Sequence, residues 1–151
     1  MDRLYLDDFP GTKFRVNLVR EGTDSIKWTP ISNPKDVFEY LKPLQEKDRE
    51  HFVAIFLNAK NIPLGVNLVS IGSLCGATVH PRESFKAAIM ASASAVVFAH
   101  NHPSGDPKPS DADVLITQKL KDAGDLLGIP VHDHIIVGHD CYYSFRDSGQ
   151  I

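Results

Sequence analysis

The chain has 151 residues, 42% hydrophobic and 23% charged, with a formal net charge of −3 and two cysteines, Cys75 and Cys141. That length suits one domain able to bury its own core. The charge argues against tight non-specific binding to a nucleic-acid backbone, and two distant cysteines make neither a disulfide framework nor a Cys-rich zinc module.

Residues 1–11, with Asp7, Asp8, Pro10 and Gly11, read as an irregular lead-in without the apolar core of a signal peptide. Phe14, Val16 and Leu18 alternate with Arg15, Asn17 and Val19, the period-2 pattern of a strand. Asn33 before Pro34 pairs an N-cap residue with proline at the first helical position, predicting a helix over 34–41. Residues 51–57 and 62–71 are β-rich apolar runs joined by Asn58-Ala59-Lys60-Asn61, a hairpin turn. Pro81 starts a helix through Ala93, with Phe85, Ala88 and Ile89 on one face, and 95–99 is a short buried strand. Ser110 caps a helix to Leu127, closed by Gly128 and Pro130; strands follow over 131–137 and 142–145.

The order β-α-β-β-α-β-α-β-β has no internal repeat and no composition break. It predicts one α/β domain of mixed α+β kind, with helices packed on a sheet. Residues 1–30 are expected to supply a lead-in and strand of the same domain as 31–151. No run is long enough to span a membrane, so a cytoplasmic protein with no membrane partner is expected.

His100-Asn101-His102-Pro103-Ser104-Gly105 carries the chemistry. Two histidines two apart at a strand end put two imidazoles on one side of an extended backbone. Taken alone, the pair reads either as metal ligands or as loop histidines. Asp113, in the first turn of the next helix, is where the helix dipole favours a carboxylate; it reads as a helix-capping acid or as a third ligand. Two neutral nitrogens, one carboxylate and an open position make the ligand set of a catalytic zinc rather than a structural one. Ser110 either caps the helix or helps hold a tetrahedral oxyanion. A hydrolytic zinc also needs a base, for which Glu39, Glu46, Glu50 and Glu83 are candidates. Glu50, just before the strand 51–57, could point into a cleft, although by spacing alone it reads as a solvated acid in the charged run 46–50.

From Glu50 to the C-terminus, about two-thirds of the chain, the sequence resembles the RadC family of JAB/MPN (JAMM) domains. That family's pattern is an upstream glutamate, then H-x-H, seven residues, S, two residues and D. Glu50, His100, His102, Ser110 and Asp113 satisfy it, with 103–109 as the seven and 111–112 as the two. His80-Pro81-Arg82-Glu83, Pro109-Ser110 and Asp133-His134-Ile135-Ile136-Val137-Gly138 match the RadC subgroup as well. The resemblance implies a JAB/MPN-like mixed sheet flanked by helices, in cytidine-deaminase-like layers. It implies that His100, His102 and Asp113 bind Zn²⁺, that Glu50 is the general base and that Ser110 assists the tetrahedral intermediate. The reaction it implies is hydrolysis of a peptide or isopeptide bond in a protein or peptide substrate. Residues 1–49 are expected to be a short form lacking the family's N-terminal helix-hairpin-helix region, which with the negative charge weakens a DNA-repair role.

Other classes stay in view as alternatives: a DNA-processing protein of repair or mobile elements, and a non-catalytic zinc-binding interaction module. The letters HNH do not make an HNH nuclease, whose residues spread over two strands and a helix. A zinc deaminase needs H-x-E and P-C-x-x-C, and neither is present. Arg82 and Glu83 read as a helix-start ion pair. His134 reads as a packed strand residue, with a place behind the ligands as the alternative, and Trp28 reads as a packing anchor.

Overall fold

The computed structural model of the chain describes residues 10–12, 14–22, 29–72 and 79–151. Trp28 and Cys75 lie outside the described residues. Helix α1 (Pro34–Leu41) runs into a 3-10 turn (Lys42–Glu46) and then strand β1 (His51–Leu57). Strand β2 (Pro63–Ile71), helix α2 (Pro81–Met90), strand β3 (Ala95–Asn101), helix α3 (Asp111–Leu127), β4 (Val131–Val137) and β5 (Tyr142–Ser144) follow.

The five strands form one sheet in the order β2-β1-β3-β4-β5. Only β3 and β4 are parallel, and α3 supplies the crossover that a parallel pair requires. This is the mixed α+β architecture expected from the sequence. On one face Phe52, Phe56, Val96 and Phe98 pack against Phe85 of α2 and Leu120 of α3. On the other face Val53, Ile55, Val97 and Ile135 pack against Val37, Phe38 and Leu41 of α1. Because β1 and β3 are covered on both faces, they read as continuous apolar runs rather than alternating ones.

Local chemistry accounts for most boundaries. Asn33 Oδ1 accepts from Asp36 N–H (3.1 Å) and Asp36 Oδ2 accepts from Asn33 N–H (3.2 Å), a complete capping box with proline behind it. Asn58 Oδ1 accepts from the Lys60 and Ile62 amides, closing the β1–β2 hairpin at the expected residues. Helix α2 stops three residues before Ala93, because Ser92 takes a left-handed φ of 52° and Ala93 N–H turns back to Ala88 O. Glycine supplies the same left-handed cap after α3, where Gly128 has φ 69°.

The strand expected over 14–19 does not form: residues 14–22 pair with no strand, and Phe14 and Val16 are 82% and 65% exposed. Alternation prepares a strand but does not supply a partner, and a lone strand cannot satisfy its backbone or bury its apolar side. Among the described residues the lead-in meets the sheet farther on, where Ile31 N–H donates to Asn61 O (2.9 Å).

Candidate metal centre

The last two residues of β3 are His100 and Asn101, so strand alternation sends His100 and His102 to the α3 side of the sheet and Asn101 to the other. Asp113 comes from the first turn of α3. His100 Nε2 lies 3.1 Å from His102 Nε2 and 3.1 Å from Asp113 Oδ1, and His102 Nε2 lies 3.4 Å from Asp113 Oδ2. These three residues form a group that could hold a metal ion, with ligand atoms all within 4.8 Å of one another. His100 and Asp113 are buried and His102 is 15% exposed, so the group opens to solvent on the His102 side.

Hydrogen bonds around the group aim its lone pairs inward. The Asp106 carbonyl can only accept, so His102 Nδ1, 2.8 Å away, is an N–H, and Nε2 is the nitrogen turned toward the other two residues. Asp113 Oδ2 accepts from both Ser110 N–H and Ser110 Oγ–H at 2.7 Å, while Ser110 Oγ accepts from Asp113 N–H. Ser110 is therefore the cap of α3 and the holder of Asp113 at once. Burial by itself would raise the Asp113 carboxyl, but hydrogen bonds with His100 and His102 outweigh it and hold it well below the usual carboxylate range. His102 is in turn raised above an ordinary imidazole, chiefly by its hydrogen bond to Asp113. A set that draws positive charge this strongly, with nitrogen and carboxylate donors and one open side, fits a divalent cation.

Residues 31–150 match the family model described as a RadC-like JAB domain. The chain belongs to the RadC-like JAB domain family. It is 49% identical over 120 residues to a UPF0758 protein of Methanosarcina mazei, covering 79% of this chain and 52% of that one. It is 48% identical over 132 residues to a UPF0758 protein of Symbiobacterium thermophilum, covering 87% of this chain and 56% of that one. The chain thus spans about half the length of the curated relatives it matches.

Within this RadC-like domain, Glu50 directly precedes β1. Phe52 pairs with His100 at the end of the β1–β3 ladder, so Glu50 and His102, each two residues farther on, follow the strands at the same end of the sheet. Glu50 is half-buried, and its charge acts on His102. The other candidate acids lie elsewhere: Glu39 is exposed on α1 across the sheet, Glu46 is exposed in the 3-10 turn, and Glu83 pairs with Arg82 at 3.7 Å. That last contact is the helix-start ion pair expected from the sequence. A pocket of about 150 Å³ beside Val97, Asp133 and Arg146 belongs to the α1 face and includes none of the three ligand candidates.

Two further residues, Asn101, unassigned from sequence, and His134, for which a place behind the ligands was the alternative, support the group. Buried Asn101 accepts from His51 N–H (2.8 Å) and donates to Arg49 O (3.0 Å), gripping the backbone on both sides of Glu50. His134, read as a packed strand residue, is packed and also bonded: stacked on Phe145, it places Nε2 2.8 Å from His100 Nδ1. Burial and the neighbouring His100 push the His134 imidazole well below its ordinary pKa. Its orientation comes from a bulge: Val96 pairs with Val131 but Val97 with Asp133, so His132 is extra and the inward phase moves to His134. Nothing in the local pattern announces that bulge.

Proposed function

We propose that this chain is a metal-dependent hydrolase of amide bonds that cleaves a peptide or isopeptide linkage in a protein or peptide substrate, with zinc as its metal. The observation that carries this reading is the convergence of His100 Nε2, His102 Nε2 and the Asp113 carboxylate, with the Glu50 charge acting on His102. Three protein ligands of this type with an open side favour a hydrolytic over a structural zinc site. His100, His102 and Asp113 hold the ion.

When bound, the ion lowers the pKa of a water and polarises the substrate carbonyl. Glu50 accepts the proton of the attacking water as the carbon–oxygen bond forms, then delivers it to the nitrogen as the carbon–nitrogen bond breaks. Asn101 keeps Glu50 at that position through its backbone grip. Ser110 holds Asp113; its one hydroxyl proton reaches an oxyanion by turning from Asp113, which keeps the Ser110 N–H.

The test combines zinc content with cleavage of linear and isopeptide-linked peptides for the wild type, Glu50→Gln and the double variant His100→Ala/His102→Ala. Zinc is expected in the wild type and in Glu50→Gln and absent from the double variant. Cleavage is expected to fall about 10²–10⁴-fold in Glu50→Gln. Zinc content unchanged by the double variant overturns the metal site. Full cleavage by zinc-loaded Glu50→Gln overturns the base, and a zinc-loaded wild type that cleaves neither peptide turns the reading to a metal-stabilised interaction module.

A further inference from the structure

We propose that His134 and Thr117 are positioning residues, a buried hydrogen-bond chain that decides which nitrogen of His100 faces the metal. The inference rests on reading His100, His102 and Asp113 as a metal centre. It follows from proton accounting that starts at a carbonyl.

Thr117 Oγ1 lies 2.6 Å from the Asp113 backbone oxygen and 2.5 Å from His134 Nδ1. A carbonyl oxygen only accepts, so the single hydroxyl proton of Thr117 goes to Asp113. His134 Nδ1 then faces an oxygen whose proton is committed elsewhere, and must itself be the N–H. His134 has no exposure and packs between Phe52 and Phe145, a setting in which a charged ring is costly, so it carries one proton and Nε2 is bare.

Bare His134 Nε2 accepts from His100 Nδ1, 2.8 Å away. With its proton on Nδ1, His100 turns Nε2 toward His102 and Asp113, so Nε2 is the nitrogen a cation would take. His102 gains the same polarity directly from the Asp106 carbonyl. His100, sealed inside the sheet, gains it through two side chains from the backbone of another member of the centre. The ring His100–His134–Thr117–Asp113 thus closes on the centre it serves. All four residues are at most 2% exposed, so water does not enter to reverse a donor. Threonine at this position also lies on the buried stripe of α3, four residues after Asp113.

Two measurements test this. Long-range ¹⁵N–¹H correlation spectra of the wild type, zinc-loaded and metal-free, report which ring nitrogens carry protons. The expected pattern is protonated Nδ1 and bare Nε2 in His134, with protonated Nδ1 in His100. A proton on His134 Nε2, or a bare His100 Nδ1, overturns the chain without needing any variant. Zinc affinity by chelator competition is then compared for wild type, Thr117→Ser, Thr117→Val and His134→Phe. Thr117→Ser is expected to bind like the wild type, whereas Thr117→Val and His134→Phe weaken binding on the order of 10- to 100-fold. Wild-type affinity in a folded Thr117→Val overturns the proposal. A wild type that binds no zinc overturns the metal centre instead, and the spectra still decide the hydrogen-bond chain.

Discussion

Asn101, between the two histidines, offers a prediction that separates the metal from the base. Its side chain faces away from His100 and His102 and makes a 2.8 Å bond from His51 N–H and a 3.0 Å bond to Arg49 O. Asn101→Ala removes both. Leaving a buried group without its partner costs about 1–3 kcal/mol. Arg49 is exposed and His51 half-buried, so water recovers part of that cost, and a total of about 2–3 kcal/mol is expected. In urea, with m of about 1–3 kcal/mol/M, the midpoint drops by on the order of 1 M with m unchanged. Asn101→Asp keeps the acceptor for His51 N–H but turns a carboxylate oxygen toward Arg49 O, and it is expected to be no more stable than Asn101→Ala at neutral pH.

The two histidines stay on β3 in either variant. Zinc affinity should therefore change far less than in Thr117→Val, while cleavage falls because the backbone around Glu50 loses its grip. The assay is a urea titration of each protein beside chelator competition and peptide cleavage. An unshifted midpoint in Asn101→Ala refutes the reasoning. So does a loss of zinc that matches the loss of cleavage.

Two other outcomes follow from the same geometry. A Cβ at Gly138 would sit 2.5 Å from Gly105 O and 2.9 Å from Pro107 Cδ, so Gly138→Ala must push back the loop carrying the Asp106 carbonyl that orients His102. Thermal denaturation is expected to show a loss of about 1–3 kcal/mol, with weaker zinc binding; unchanged values for both contradict the contact. The Asp133 carboxyl is raised by burial, against hydrogen bonds from Ser144, Arg146 and His134. A folded value above the unfolded one means this contribution is complete below the ordinary pKa of 3.8 and is lost as pH rises through the raised folded value. Denaturant midpoints across that range should lose this component of their slope in Asp133→Asn, and an identical slope in both proteins counts against it.

Much of the centre was legible because its spacing carries its geometry. The i, i+2 histidines need only a strand to share a face, and Ser110 with Asp113 needs only a helix start. Both local structures are announced by flanking residues: the apolar run before His100, and the prolines and serine before α3. Glu50 was legible only through the family pattern, since by itself it sits in a charged run. Thr117 was within reach, four residues after Asp113 on a helix. His134 carried two alternatives, and only the structure chose between them, because a bulge at His132 reverses the inward phase of β4 and no residue type there marks it.

The sequence by itself determined the elements that depend on neighbours in the chain. Caps at Asn33 and Ser110, the Asn58 turn and the apolar runs of β1 and β3 all act over a few residues, where side chain and backbone meet whatever the rest of the chain does. Tertiary structure decided the questions of partnership. Phe14, Val16 and Leu18 carry a strand pattern but pair with no strand among the described residues, and all three are exposed. Pairing of Phe52 with His100 brought the start of β1, and Glu50 before it, to the histidine end of β3, and the parallel pairing of β4 beside β3 brought His134 behind His100. A hydrogen bond across 34 residues of chain exists only once the sheet has set two strands side by side.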